Sequence, residues 1–579
     1  MEKENKVSKK TLKRQHLFEL AIGLFLVVLI NLIGSYVFYR LDLTSEKRYT
    51  LSETTKKMLK NDVKDIVYFK VYLDGDFPAG FKKLSKETRE MLDEFRAYNE
   101  NIEYEFINPS SSEDKITRNS VYEQLMKKGL EPTSLQVKEK GGSSQQIIFP
   151  GAIVTYRQKE IPLQLLQTKT GASPEEQLNN SIQSLEYELS NAIRKLSIPM
   201  KKKVGFLYGH GELDEYETGD ITAALKEYYA VERVKINEKI SSLIEYDALI
   251  IASPDSMFSD KDKYVIDQFI MKGGKVLWFI DQVYADLDSL RATRNDMMGL
   301  QKRLDLDFML FRYGAKIKTD LVQDLQSLPI PVQVGNMGGK PQYDFYPWFY
   351  FPLVSPASDH PIVKNLDLVK TNFPNCIDTN VVANGIKKTV LLRTSKFSKV
   401  IPTPAYITLD ILRQKPNEGM YIDSYQPIAM LLEGSFNSAF KNRLAPEFME
   451  KKDSIGYIEN CVKSNKMIVV ADGDIIKNQI RISNGKTMPL PLGYDMYSYN
   501  YTKSLFGNKN FVINAVNFLL DDSNLISVRA RDLKLRLLDG QKVEKNRFIY
   551  QFINVVAPVL LVILLGFIFS VLKRRKYTK

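Results

Sequence analysis

KKKVGFLYGHGELDEY, residues 201–216, decides the fold. Val204–Tyr208 is a short, continuous apolar run of the buried-strand kind, Gly209–Gly211 is a turn, and a helical pattern follows through Ala223–Tyr229. Runs of the same kind recur at Ala248–Ala252 (ALIIA), Val276–Ile280 (VLWFI) and Met467–Ala471 (MIVVA), with a helix expected over Lys261–Lys272. Strands apolar on both faces and alternating with helices predict a mostly parallel sheet covered on both sides. The fold class expected is α/β, with a larger Rossmann-like domain over residues 201–530.

Upstream, IVYFKVYL (Ile66–Leu73) alternates and is rich in β-branched and aromatic residues, KLSKETREMLDEFRAYN (Lys83–Asn99) has helical spacing, and IEYEFINP (Ile102–Pro109) reads as a strand again. A helix over Arg118–Lys128, a segment Ser134–Lys138, a Gly/Ser turn at Gly141–Ser144 and a strand over Gln146–Tyr156 complete a small domain at 61–170. Its βαβ opening is thioredoxin-like, yet no CxxC is present, which excludes redox chemistry of that type. Helical spacing over Glu175–Leu196 supplies a connecting helix within 171–200.

Downstream, residues 320–460 read as an insertion with little periodicity and a Pro/aromatic run, PQYDFYPWFYFPLVSP (Pro341–Pro356). A helix over Phe511–Leu520 and a charged segment, Arg529–Lys545, follow.

Both ends of the chain read as membrane spans. LFELAIGLFLVVLINLIGSYVF (residues 17–38) has one charge, Glu19, and FINVVAPVLLVILLGFIFSVL (552–572) has none. Each meets the ~20 apolar residues a bilayer-crossing helix needs. No A-x-A-like site follows the first, so an uncleaved signal anchor is preferred to a cleaved signal peptide. The segment 39–60 reads as a juxtamembrane stalk in which Ser52 caps a helix leading to Leu59, and 531–551 as a linker. The net charge of +12 lies mostly in the tails: residues 1–16 carry six basic and two acidic side chains, and 573–579 five basic ones. Only +3 remains for the rest, which argues against nucleic acid as a partner. The same asymmetry places both termini in the cytoplasm and residues 40–550 outside the cytoplasmic membrane.

Loops at the carboxyl ends of parallel strands converge on a crevice where ligands bind. His210, Glu212, Asp281 and Asp472 fall at such ends and are the candidate ligand-binding residues; Asp255 and Asp474 fall there too. His210 and Glu212 in GHGE have the chemistry of an acid–base pair, the alternative being a tight glycine turn in which the histidine satisfies backbone groups. No G-x-S-x-G or cysteine elbow occurs, no Walker motif is complete after Gly273–Gly274 or Gly338–Gly339, and Asp472-Gly-Asp474 does not continue as an EF-hand. No enzymatic activity, cofactor or metal is therefore expected. Tyr346, Trp348, Phe349 and Tyr350 are candidate interaction residues, with a buried cover over the sheet as the alternative. Cys376 and Cys461 lack metal-ligand spacing; a disulfide and two buried thiols both stay open.

RYTLSETTKKML (Arg48–Leu59), VYLDGDFPAGFKKL (Val71–Leu84), YEFINP, GFLYGHGE (Gly205–Glu212), DLVQDLQSLPIP (Asp320–Pro331) and PWFYFPL (Pro347–Leu353) resemble the gliding-motility-associated ABC transporter substrate-binding (auxiliary) proteins of Bacteroidetes. The resemblance covers nearly the whole chain. It implies work with a separate ABC permease and ABC ATPase, and a fold-level relation to a domain of intraflagellar-transport proteins. It names no ligand. A static envelope scaffold and an envelope hydrolase using the GHGE loop are the competing readings.

Overall fold

The computed structural model describes residues 9–36, 50–139, 142–167, 172–198, 200–293, 296–413, 415–443, 456–483, 485–496, 498–499, 505–521, 523, 525–530 and 540–577. The stalk residues 39–49, Val37 and Phe38 of the first expected span, Gly141 of the expected turn, and 531–539 of the charged segment lie outside them. The chain forms two compact units, Met1–Arg531 and Asp532–Lys579.

The first unit opens with helix α1 (Lys9–Tyr36), whose side chains from Leu17 to Leu29 form a short, exposed apolar stretch. Helix α2 (Glu53–Asp62) starts at Ser52, whose hydroxyl accepts the Thr55 N–H at 3.2 Å, as a capping serine should.

A small sheet follows, built from β1 (Val67–Val71), α3 (Ala79–Tyr98), β2 (Ile102–Phe106), α4 (Lys115–Lys127), the paired strands β3 (Thr133–Glu139) and β4 (Gly142–Ile148), β5 (Gly151–Tyr156) and β6 (Lys159–Gln164). Its order is β2-β1-β5-β6, with β1 parallel to β2 and the other pairings antiparallel. The single strand expected over Gln146–Tyr156 is two strands, because Pro150 has no N–H to continue a ladder. Helix α5 (Pro174–Ser197), entered through a Ser173/Glu176 capping box, packs its apolar face on this sheet.

The larger sheet starts with β7 (Lys203–Leu207), α6 (Gly219–Lys226), β8 (Ala230–Val234), β9 (Ala248–Ala252), α7 (Asp260–Met271) and β10 (Lys275–Phe279). These strands stand in the order β8-β7-β9-β10, followed by strand Asn465–Val470, all parallel. Counted along the chain this is the 2-1-3-4-5 order of flavodoxin-type sheets, not the 3-2-1-4-5-6 order of a Rossmann sheet. The parallel, doubly covered character holds, and the Rossmann-like expectation is corrected in strand order.

Alternation decides the two cores. Val204, Phe206, Ile250, Leu277, Phe279, Ile468 and Val470 face α6 and helix Asn508–Leu520. Leu249, Ile251, Val276, Trp278, Met467 and Val469 face α7 and helix Asp307–Tyr313. The insertion continues the same sheet with antiparallel strands Pro427–Gly434, Ile386–Arg393, Lys340–Pro356 and Ser327–Met337.

The Pro/aromatic run lies within the 17-residue strand Lys340–Pro356, hairpinned to Ser327–Met337. Tyr343 and Phe345 are exposed and Tyr346 is half-buried, whereas Trp348, Phe349 and Tyr350 are buried. Trp348 packs against Tyr350 and Phe373 at ring separations of 5.3 and 6.3 Å. Those three side chains are core, the buried cover that was the alternative to an interaction surface, and Tyr346 is left half-buried. Burying large rings here removes more apolar area from water than a solvent-facing patch would.

In the second unit, Arg547–Arg575 forms a 29-residue helical stretch whose most apolar 18-residue window has mean hydropathy 3.0, with none of that window buried. It is long enough to cross a membrane at 1.5 Å per residue. Its π-type turn, Phe552–Val556, ends two residues before Pro558, whose missing N–H breaks the regular ladder there.

Candidate functional site

In this strand order the crevice opens at the carboxyl end of the sheet, where the strand order reverses between the parallel neighbours β7 and β9. Four loops meet there: Tyr208–Leu213 after β7, Ser253–Phe258 after β9, Ile280–Gln282 after β10, and Ala471–Asp474 after strand Asn465–Val470.

The GHGE loop turns through Gly209 at φ 126° and Gly211 at φ 77°, conformations that glycine adopts freely. A Cβ on Gly211 would come within 2.9 Å of the Asp255 Cβ, so the first two loops touch. His210 lies between them and is only 7% exposed. Its Nδ1 is 3.1 Å from Glu212 Oε1, its Nε2 is 3.1 Å from Asp262 Oδ2, and its ring stacks on Phe258 at 3.8 Å. Its carbonyl accepts the N–H groups of Asp255 and Ser256 at 2.9 and 2.8 Å. Burial pulls the imidazole pKa down, but hydrogen bonds to Glu212 and Asp262 and their charges outweigh it and hold the pKa above the usual value. Both ring nitrogens are engaged by carboxylates, which makes His210 a clamp rather than a free base.

Asp281 and Asp472 form a second clamp. Asp281 accepts the Ser253 hydroxyl at 2.6 Å and the Gly473 N–H at 2.7 Å. The buried Asp472 accepts the N–H groups of Asp474 at 2.7 Å and Asn372 at 2.9 Å, joining the insertion to the sheet. Burial, with repulsion from Asp474 and Asp281, pushes the Asp472 carboxyl well above the ordinary range. The four residues singled out from sequence thus fall into two groups that stitch the crevice loops together.

The space itself is framed by their neighbours. A cavity of about 320 Å³ is lined by Asp474, Lys477 and Asn478 on one side, Lys370, Asn372 and Phe373 of the insertion on another, and Arg291 and Asp495 beyond. Lys370 is 7% exposed, and its ammonium donates to the Tyr494 carbonyl at 3.1 Å. Among the described residues no carboxylate forms an ion pair with it. Burial lowers its pKa against the opposing pull of Asp495, Asp474 and Asp472. The Asp474 side chain is 28% exposed and 4.0 Å from Lys477. Burial and Asp281 push its pKa up to about 6, with Lys477 and Lys370 opposing. Of these residues only Asp474 carried a sequence signal.

Among the described residues no group of histidine, cysteine or carboxylate side chains has the arrangement of a metal site. Cys376 and Cys461 are buried free thiols.

The fold and crevice define an α/β protein with a doubly wound domain, in a chain that also carries an apolar helix of membrane-crossing length. Residues 201–515, more than half of the chain, match the family ABC_transp_aux, described as an ABC-type uncharacterized transport system. The chain belongs to that family, which makes it an auxiliary protein of an ABC-type transport system. Residues 45–155 match a domain of unknown function, DUF7088. An uncharacterized protein of Borreliella burgdorferi is 21% identical over 359 residues, covering 61% of this chain and 64% of that protein. Two solved structures have slight likeness. The mmIFT52 N-terminal domain has a TM-score of 0.31 at 12% identity, covering 55% of this chain and 97% of that one. A putative ThuA-like protein from Parabacteroides merdae has a TM-score of 0.21 at 12% identity, covering 41% and 75%.

Proposed function

We propose that this chain is a non-catalytic, membrane-anchored auxiliary or substrate-binding subunit of an ABC transporter of the gliding-motility type, working with a separate permease and ATPase. The observation that carries this reading is the family match over 201–515. In it, one span at each end holds both termini in the cytoplasm and the intervening domains in the periplasm. The 29-residue apolar stretch at 547–575 supports the second anchor, and the exposed apolar stretch at 17–29 supports the first.

Two features support a binding role over a catalytic one. His210, Asp281 and Asp472 are spent on holding loops, and the cavity beside them is of small-metabolite size. The joint between the small and large domains combines polar contacts with apolar packing: Asn191 donates to the Tyr228 hydroxyl at 2.9 Å, Lys195 pairs with Glu227 at 2.7 Å and Arg194 stands 3.7 Å from Asp521, while Leu525 and Val528 pack into the small domain's core.

The test is affinity purification of the full-length chain from its native membrane, with mass spectrometry of the proteins recovered. An ABC permease and ATPase at comparable abundance are expected. Recovery of the chain alone, or with unrelated envelope proteins, overturns the reading.

A further inference from the structure

The walls of the 320 Å³ cavity carry both signs of charge at close quarters. Among the described residues that line it, Lys370 is the one buried cation. Holding an ammonium out of water against the Tyr494 carbonyl, with no carboxylate paired to it among the described residues, is costly, and a ligand anion would relieve that cost. A ligand carrying negative charge alone, however, would also face Asp474 and the 8%-exposed Asp495. A ligand carrying positive charge alone would face Lys370 and Lys477. Only a ligand with both charges meets a partner at each end.

One stretch of the wall is apolar: Leu328 and Ile330 from one strand of the hairpin, Phe351 from the other, and Phe373; Asp286 and Asp288, the latter beside Arg291, add further charge at the rim. A volume of 320 Å³ is at the small end of ligand pockets, which run from ~300 to 1,000 Å³.

We propose that this cavity binds a small organic zwitterion of the amino-acid type. The ligand's carboxylate pairs with Lys370, its ammonium with Asp474 and Asp495, and its side chain lies on Phe351, Phe373 and Ile330. Asn372, whose N–H is already fixed by Asp472, sets the position of the insertion wall against Asp474. The inference rests on the reading of the chain as a substrate-binding subunit.

The experiment is calorimetric titration of the purified full-length chain, in detergent, with each of the twenty standard L-amino acids and with dialanine. Any that binds is titrated again as its N-acetyl derivative and as its carboxamide, each of which removes one of the two α-charges. The expected result is binding by at least one zwitterion, weakened tenfold or more in both derivatives and in Lys370→Met and Asp474→Asn. The derivative comparison uses the unmutated chain, so a variant that fails to fold leaves the test intact. No binding by any probe, or equal binding by either derivative, overturns the inference. Co-purification separates the two levels. If permease and ATPase come with the chain but no zwitterion binds, only the ligand assignment fails; if the chain comes alone, the transporter reading fails.

Discussion

Asp281 takes the backbone N–H of Gly473 at 2.7 Å, across the boundary between β10 and its parallel neighbour. Its second oxygen holds the Ser253 hydroxyl, so one carboxylate locks the ends of three adjacent strands. There is no room at that junction. A Cβ on Gly473 would stand 2.4 Å from the Ser253 side chain and 2.5 Å from Asp281 Oδ2. Gly473→Ala is therefore expected to destabilise the chain by ~1–3 kcal/mol through overpacking. Guanidinium unfolding of the full-length protein measures it. An unchanged midpoint means the three loops are not tied as described.

The aromatic run makes a contrast within one strand. Trp348 is fully buried, whereas Tyr343 and Phe345 are 53% and 41% exposed. Trp348→Ala is expected to cost ~3–5 kcal/mol, the range for emptying a large core site. Tyr343→Ser and Phe345→Ser are expected to stay within ~0.5 kcal/mol of the parent. Any effect of those two on recovery of permease and ATPase would then report contact rather than folding.

The parallel strands were legible because ALIIA, VLWFI and MIVVA are apolar on both faces, and burial on both faces leaves no other home for such runs. β8 was not: AVERV exposes Glu232 at the sheet's margin and carries too short an apolar pattern to separate from loop. In the insertion, Pro329, Pro331, Pro341, Pro347, Pro352 and Pro356 mask two long strands, which tolerate them beside the sheet edge. Strand ends located Asp281 and Asp472 correctly at the crevice but said nothing of their partners. Lys370 had no local signal at all. Its character comes from burial against residues some 100 positions away, among them Asp472 and Asp474.

His210 predicts a pH response. Its native pKa is raised by Glu212 and Asp262 despite burial, so its contribution to stability is fully present below the unfolded value of ~6.5. That contribution is lost as pH rises through the higher native value. His210→Gln cannot titrate, and the difference in unfolding free energy between parent and variant is expected to shrink between pH 6 and pH 9. A difference that is constant across that window means the imidazole is not held as a cation.

Asp474 predicts the opposite chemistry with its own sign. Its native pKa of about 6 lies above the ordinary 3.8, so the folded chain keeps a proton that the unfolded chain has already released. Stability therefore falls as pH rises from about 4 to about 6, and the slope belongs jointly to Asp474 and Asp472 because they repel one another. Two pKa units correspond to at most ~3 kcal/mol. Asp474→Asn is expected to flatten that slope and to be more stable than the parent at pH 7.5 by ~1–3 kcal/mol, read from urea unfolding at several pH values. In the proposed site, a bound ammonium would relieve the same repulsion. Ligand-free protein should thus show the full slope, and saturation with a binding zwitterion should reduce it in the parent but leave Asp474→Asn unchanged.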